Sequence, residues 1–189
     1  MRYPASETAE KHERILGEAA RLFRERGYSG VSVSEIMQAT GLTHGPFYSH
    51  FASKDALFAE ALTHLSERGQ CELERAAATP DAMRAYLAAY LSAQHRDHPG
   101  HGCLMPAVGS EVGRAGERQA DARSAYTRHV KRMLAWLGQA YPWPARDTAR
   151  RDAHRMLASM IGAVILARAV DDAQLSDDIL RDVREQFLT

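Results

Sequence analysis

One stretch limits this chain more than any other: VSVSEIMQATGLTHGPFYSHFASK, residues 31–54. Ser32 stands three residues before Glu35, the spacing at which two side chains each satisfy a free backbone N–H at a helix start, and Ile36 and Met37 follow as apolar positions. A helix of about two turns should begin near Val33. Gly41 follows Ala39 and Thr40, where glycine enters the left-handed backbone region without steric penalty. Thr43 can cap the next segment, and Pro46 falls in its first turn, where a missing N–H removes no hydrogen bond. A second helix is therefore predicted from His44 to Phe51. Helix, glycine turn, helix is a unit that many DNA-binding proteins use to lay a second helix in the major groove, although it can also be a plain structural corner.

The side chains divide in a way that suits the groove. Phe47 and Phe51 are four apart and share the core side, leaving Thr43, His44, Tyr48, Ser49 and His50 for the other. Thr43, Tyr48, His50 and Lys54 are donors of the type that phosphate oxygens accept. His44, with Gly45 and Pro46 beside it, is placed to meet base edges and thymine methyl groups. Ser32, Ser34 and Ser49 complete the candidate DNA-facing set.

The run GLTHGPFYSHFASKDALF resembles the recognition segment of TetR-type transcriptional regulators, with Gly41, Leu42, Thr43, Gly45, Tyr48, His50, Phe51, Ser53, Lys54, Asp55 and Leu57 all fitting the pattern. The likeness covers about residues 9 to 62. Pro46 and Phe47 depart from the pair usual there, which leaves the operator sequence open. The resemblance implies an all-α, homodimeric protein of about nine helices. Its N-terminal helix-turn-helix DNA-binding domain (1–65) would read double-stranded operator DNA, and a C-terminal helical domain (66–189) would bind a small-molecule effector and dimerise.

Bulk properties set bounds around this reading. The chain has 189 residues, 45% hydrophobic and 25% charged, an ordered globular composition. The apolar run from Met156 to Ala167 lies between Arg155 and Arg168 and falls short of the roughly 20 residues a membrane helix needs. The opening MRYPASETAEKHER lacks an apolar signal region, so no membrane partner and a cytoplasmic location are expected. Two cysteines, Cys71 and Cys103, suit reduced thiols. Charge gives DNA binding no help. The chain balances 24 basic against 24 acidic residues, so any DNA-facing patch must come from the placement of donors.

The rest of the chain reads as helices. Ser53 can cap a long one running toward Ala78. Pro80 opens another with Tyr86 and Tyr90 on its inner side, and HRDHPGHG (95–102) reads as a loop. A short helix should precede Gly113, with long ones over Glu117 to Ala140 and about Ala145 to Val170. A final amphipathic helix should start at Ser176. The last two carry apolar faces broad enough for a symmetric four-helix contact between two copies.

Tyr86, Tyr90, Cys103, Met105, Tyr126, Met133, Trp136 and Met160 could line an effector pocket for an apolar ligand, against the alternative of ordinary core. His95, His98, His101 and Cys103 have metal-ligand character, but the glycines and proline among them argue for a loop, and neither metal nor cofactor is expected. The Gly102-Cys103 step resembles one in TetR-like regulators of electrophile response. An electrophile, redox or metal sensor signalling through Cys103 and the 95–103 loop is therefore the alternative. No Ser-His-Asp order, phosphate-cradling glycine loop or paired carboxylates point to an enzyme.

Overall fold

The computed structural model describes residues 5–42 and 47–188. Among these the chain is all-α, with ten α-helices rather than about nine, two short 3-10 turns and no strand. The order is α1 (Ala5–Arg26), α2 (Val33–Ala39), α3 (Phe47–His50), α4 (Lys54–Ala76), α5 (Pro80–Tyr90), α6 (Ala93–Asp97), α7 (Leu104–Arg114), α8 (Ala120–Ala140), α9 (Ala149–Ala169) and α10 (Ala173–Leu188).

Local chemistry accounts for the start of α2 as expected. Ser32 Oγ accepts from the Glu35 N–H at 3.2 Å while the Glu35 carboxylate accepts from the Ser32 N–H at 2.8 Å, a reciprocal cap that stabilises a helix by about 1 kcal/mol. The helix stops at Gly41, whose φ of 68° is left-handed. Leu42 then turns back to donate its N–H to the Met37 carbonyl at 3.2 Å. Ser53 Oγ caps α4 by accepting from the Ala56 N–H at 3.0 Å.

The N-terminal core closes around α1 and α4. Ile15, Ala19 and Phe23 from α1 and Leu57, Phe58 and Ala61 from α4 are almost fully buried, with Ile36, Met37 and Phe47 filling the space between. Farther along α4, Leu73 and Ala76 are buried against the second half of the chain, and α8 runs beside this same helix. One continuous rod thus runs from the N-terminal helices into the second half of the chain, within a single hydrophobic core.

Three expectations are corrected. The stretch 95–102 is a helical turn and not an open loop: Ser92 Oγ caps α6 through the His95 N–H at 3.2 Å, and Pro99–His101 forms a 3-10 turn. Helix α9 starts at Ala149, four residues later than predicted. Helix α10 starts at Ala173, not Ser176, because Asp172 supplies the acceptor for the Leu175 N–H at 3.0 Å. Ser176 lies inside the helix, its hydroxyl donating to the Ala167 carbonyl at 2.7 Å and pinning α10 to α9.

Candidate DNA-reading face and regulatory cavity

Helix α3 is held by its aromatic side. Phe47 and Phe51 are buried with ring centroids 5.8 Å apart, and His12 of α1 stacks on Phe51 at 4.5 Å. His12 is in turn fixed by the Glu60 carboxylate of α4 at 2.6 Å. On the opposite side Tyr48 is 67% exposed, its ring set edge-on against Phe47 at 5.1 Å. Ser32, Ser34 and Ser49 are also exposed. Thr43, His44, Gly45 and Pro46 lie outside the described residues.

Two members of the predicted set have other partners. Lys54 Nζ donates to the Tyr28 carbonyl at 2.6 Å and sits 4.1 Å from the Tyr28 ring centroid, so it clamps the α1–α2 turn and positions the face. His50 lies half-buried near His12, and burial first, then repulsion from His12 and Lys11, lowers its pKa. It therefore sits beside α1, 5.8 Å from the His12 ring, mostly as a neutral ring at pH 7.

Two hydrogen-bonded ties join the end of α1 and the turn after it to the second half of the chain. Glu111 of α7 accepts from the backbone N–H of Tyr28 at 2.7 Å and of Ser29 at 3.2 Å. Gly27 makes room for it: its φ is 74°, and a Cβ there would lie 2.5 Å from the Glu111 carboxylate. The second tie is Arg24, whose guanidinium donates to the Gly102 carbonyl at 3.1 Å.

Between these ties lies a cavity of about 860 Å³, bounded by α1, α4, α5, α8 and the 95–104 segment. Of the residues predicted to line a pocket, Tyr86, Tyr90, Cys103 and Met133 do so. Met105, Tyr126, Trp136 and Met160 are core instead. Met105 and Met160 are fully buried, Trp136 Nε1 donates to the Leu73 carbonyl at 2.8 Å, and Tyr126 packs against Gly109. The walls are also far more basic than an apolar pocket would be: Arg21, Arg24, Arg68 and five histidines, with Glu72 the one acid among the lining residues.

Sequence reasoning did not find Arg24, Arg68 or His129 on this wall. His129 had a usable signal, because it falls in register with Ala122, Ala125, Met133 and Leu137 on the buried stripe of α8. Arg24 and Arg68 had none, since a basic last turn and an exposed arginine look alike whether or not a cavity forms beside them.

The 95–103 cluster is not arranged for a metal. His95 Nδ1 meets the Tyr90 carbonyl at 2.7 Å and its Nε2 accepts the Cys103 N–H at 2.9 Å, so both ring nitrogens are engaged. Among the described residues no group of three potential ligands comes together. The Cys103 thiol caps α7 by accepting from the Met105 N–H at 3.5 Å. Burial pushes its pKa up, outweighing that N–H, the neighbouring Tyr90 hydroxyl and the cations Arg24 and Arg168.

These histidines make stability sensitive to acid. Burial first, with Arg132 adding repulsion, brings His129 down to about 4, and His50 and His95 are lowered for the same leading reason. The unfolded chain protonates them near the ordinary value of about 6.5. Stability from the neutral rings is therefore complete above that value and is lost as pH falls toward 4. Thermal melts should give a lower midpoint at about pH 5 than at about pH 7.5, and His129→Asn should narrow the gap. Equal midpoints at both values would contradict the burial of these rings.

Structurally this is a helix-turn-helix unit joined to a helical bundle, and residues 15–61 match the model for bacterial regulatory proteins of the tetR family. Residues 15–61 therefore carry that family's N-terminal domain, and the curated proteins to which the chain is similar are transcriptional regulators. The chain is 43% identical over 76 residues to the HTH-type transcriptional regulator AcrR of Shigella flexneri, covering 39% of this chain and 35% of AcrR. The chain thus spans about a third of the first curated relatives' length. It is 27% identical over 139 residues to the HTH-type transcriptional repressor NemR of Escherichia coli K12, covering 68% of this chain and 65% of NemR. The crystal structure of reduced E. coli NemR superposes with a TM-score of 0.76 at 23% identity, covering 94% and 95% of the two chains. A TetR regulator from Chloroflexus aurantiacus gives 0.74 at 24% identity over 95% of each chain.

Proposed function

We propose that the chain is a DNA-binding transcriptional repressor. Two copies place α3 in successive major grooves of a palindromic operator, about 34 Å apart, and a small molecule in the cavity beside Arg24 releases them. One observation carries this reading: α3 buries Phe47 and Phe51 in its own core while presenting Tyr48, 67% exposed, from a segment that matches the family's DNA-reading domain. Dimerisation through α9 and α10 is supported by Ile165, Leu166 and Leu175, large apolar side chains that are 44%, 55% and 46% exposed. Release works by differential affinity. A ligand that prefers one setting of α1 against α7 shifts α4, and the spacing of the two α3 helices with it.

The DNA-reading residues are Ser32, Ser34, Thr43, His44, Gly45, Pro46, Tyr48, Ser49 and His50, with Lys54 as their clamp. A gel-shift titration on the DNA upstream of its own gene tests this. Wild-type protein should bind, and Tyr48→Ala should bind about tenfold more weakly at every sequence tried. Equal affinity of the two proteins removes Tyr48 from the interface.

A thiol sensor through Cys103 is the weaker reading, even with a reduced NemR structure among those similar to this chain. A thiol whose pKa is raised by burial is protonated and a poor nucleophile at pH 7.

A further inference from the structure

Among the described residues, three buried side-chain polar atoms have no hydrogen-bond partner: Arg24 Nε, Tyr90 Oη and His129 Nε2. All three belong to side chains that line the one 860 Å³ cavity. A buried donor left unmade is costly, and three such atoms on a single cavity wall, supplied by α1, α5 and α8, form a built recognition surface. Tyr90 and His129 are each only 6% exposed.

The chemistry of the three atoms names the ligand class. Arg24 Nε–H is a cationic donor. Among the described residues its guanidinium is hydrogen-bonded to the neutral Gly102 carbonyl and to no carboxylate, and it feels the like charge of Arg68 as well as the opposite charges of Glu25 and Glu72. His129 is the neutral tautomer with a donor to spare. Ser66 Oγ accepts from Arg132 at 3.0 Å and lies 3.0 Å from His129 Nδ1; with its hydroxyl hydrogen given to Nδ1, the assignment taken for this site, the ring proton is on Nε2. Tyr90 Oη can donate as well, since it faces the Cys103 thiol without a hydrogen bond of good geometry. Three donors and a surplus of positive charge call for an acceptor that carries negative charge. Leu65, Leu73 and Met133 on the same wall call for an apolar body.

We propose that the cavity binds a small organic acid, its carboxylate held by Arg24, Tyr90 and His129 and its apolar part against α4 and α8. This inference rests on the regulatory cavity of the preceding section and gives its ligand a chemical class. Because Arg24 belongs to α1 and the other two to the bundle, such an acid joins the DNA-reading unit to the bundle through one carboxylate.

The test is direct binding to the full-length protein without DNA, so its failure leaves the DNA reading standing. A panel of benzoate, salicylate, phenylacetate and octanoate, each beside its uncharged primary amide, is followed by calorimetry and by melting temperature. At least one acid should bind and raise the melting temperature while its amide does not. Arg24→Gln should weaken that acid by about 10- to 100-fold, the loss of a charge-assisted contact. Tyr90→Phe guards against a merely structural effect: it should melt within a degree or two of the wild-type temperature, since the hydroxyl has only a weak contact with the Cys103 thiol to lose, and still bind the acid severalfold more weakly. The inference is overturned if no acid binds, if amides bind as well as acids, or if both variants keep wild-type affinity.

Discussion

Phe58→Ala is expected to remove about 3–5 kcal/mol of stability and, with it, DNA binding. Phe58 is fully buried, meets Phe23 edge-on at 5.0 Å and lies 5.1 Å from the Tyr28 ring. It stands where α1, the α1–α2 turn and α4 converge, so truncation leaves a cavity that rigid helices close only in part. Tyr28 would then lose the support that lets its carbonyl hold Lys54 and its hydroxyl hold Asp55 at 2.8 Å. Urea denaturation should move to a markedly lower midpoint, with operator affinity lost at temperatures where wild type binds. A midpoint within about 1 kcal/mol of wild type would mean that this aromatic cluster does not hold the N-terminal unit together.

Glu111→Ala carries the second large effect, on coupling. Its carboxylate is the acceptor for two backbone donors in the turn after α1. Losing it should cost about 1–3 kcal/mol and raise amide hydrogen exchange at Tyr28 and Ser29 well above wild type. Glu111→Gln keeps an amide oxygen and should fall between the two. DNA binding at low temperature should survive, because α3 does not touch Glu111, while any ligand that releases wild-type protein should release Glu111→Ala less well. Unchanged exchange at residues 28 and 29 would show that α7 does not restrain this turn.

What the sequence made legible was local. The Ser32–Glu35 and Ser53 caps depend on residues three apart and the Gly41 turn on one glycine, so their chemistry can be read without knowing the fold. The pairing of Phe47 with Phe51 was equally plain. Non-local partners were not. Ser176 looks like a helix start, but its hydroxyl belongs to the Ala167 carbonyl. Lys54 looks like a free donor until Tyr28 is folded onto it, and HRDHPGHG looks like a loop until Arg168 donates to the carbonyls of His95 and Arg96 at 2.7 and 2.9 Å. The cavity was half visible for the same reason. Tyr86, Tyr90 and Met133 follow helical periodicity, whereas Arg24 reaches the wall because α1 packs on the Pro99–His101 turn.

Footprinting of the purified full-length protein on the DNA upstream of its gene, at low salt, meets the central claim head on. Two protected half-sites about 10 base pairs apart, related by a two-fold axis, are the expected result. Absence of protection, or protection without sequence preference along the whole probe, would contradict a paired helix-turn-helix that reads an operator.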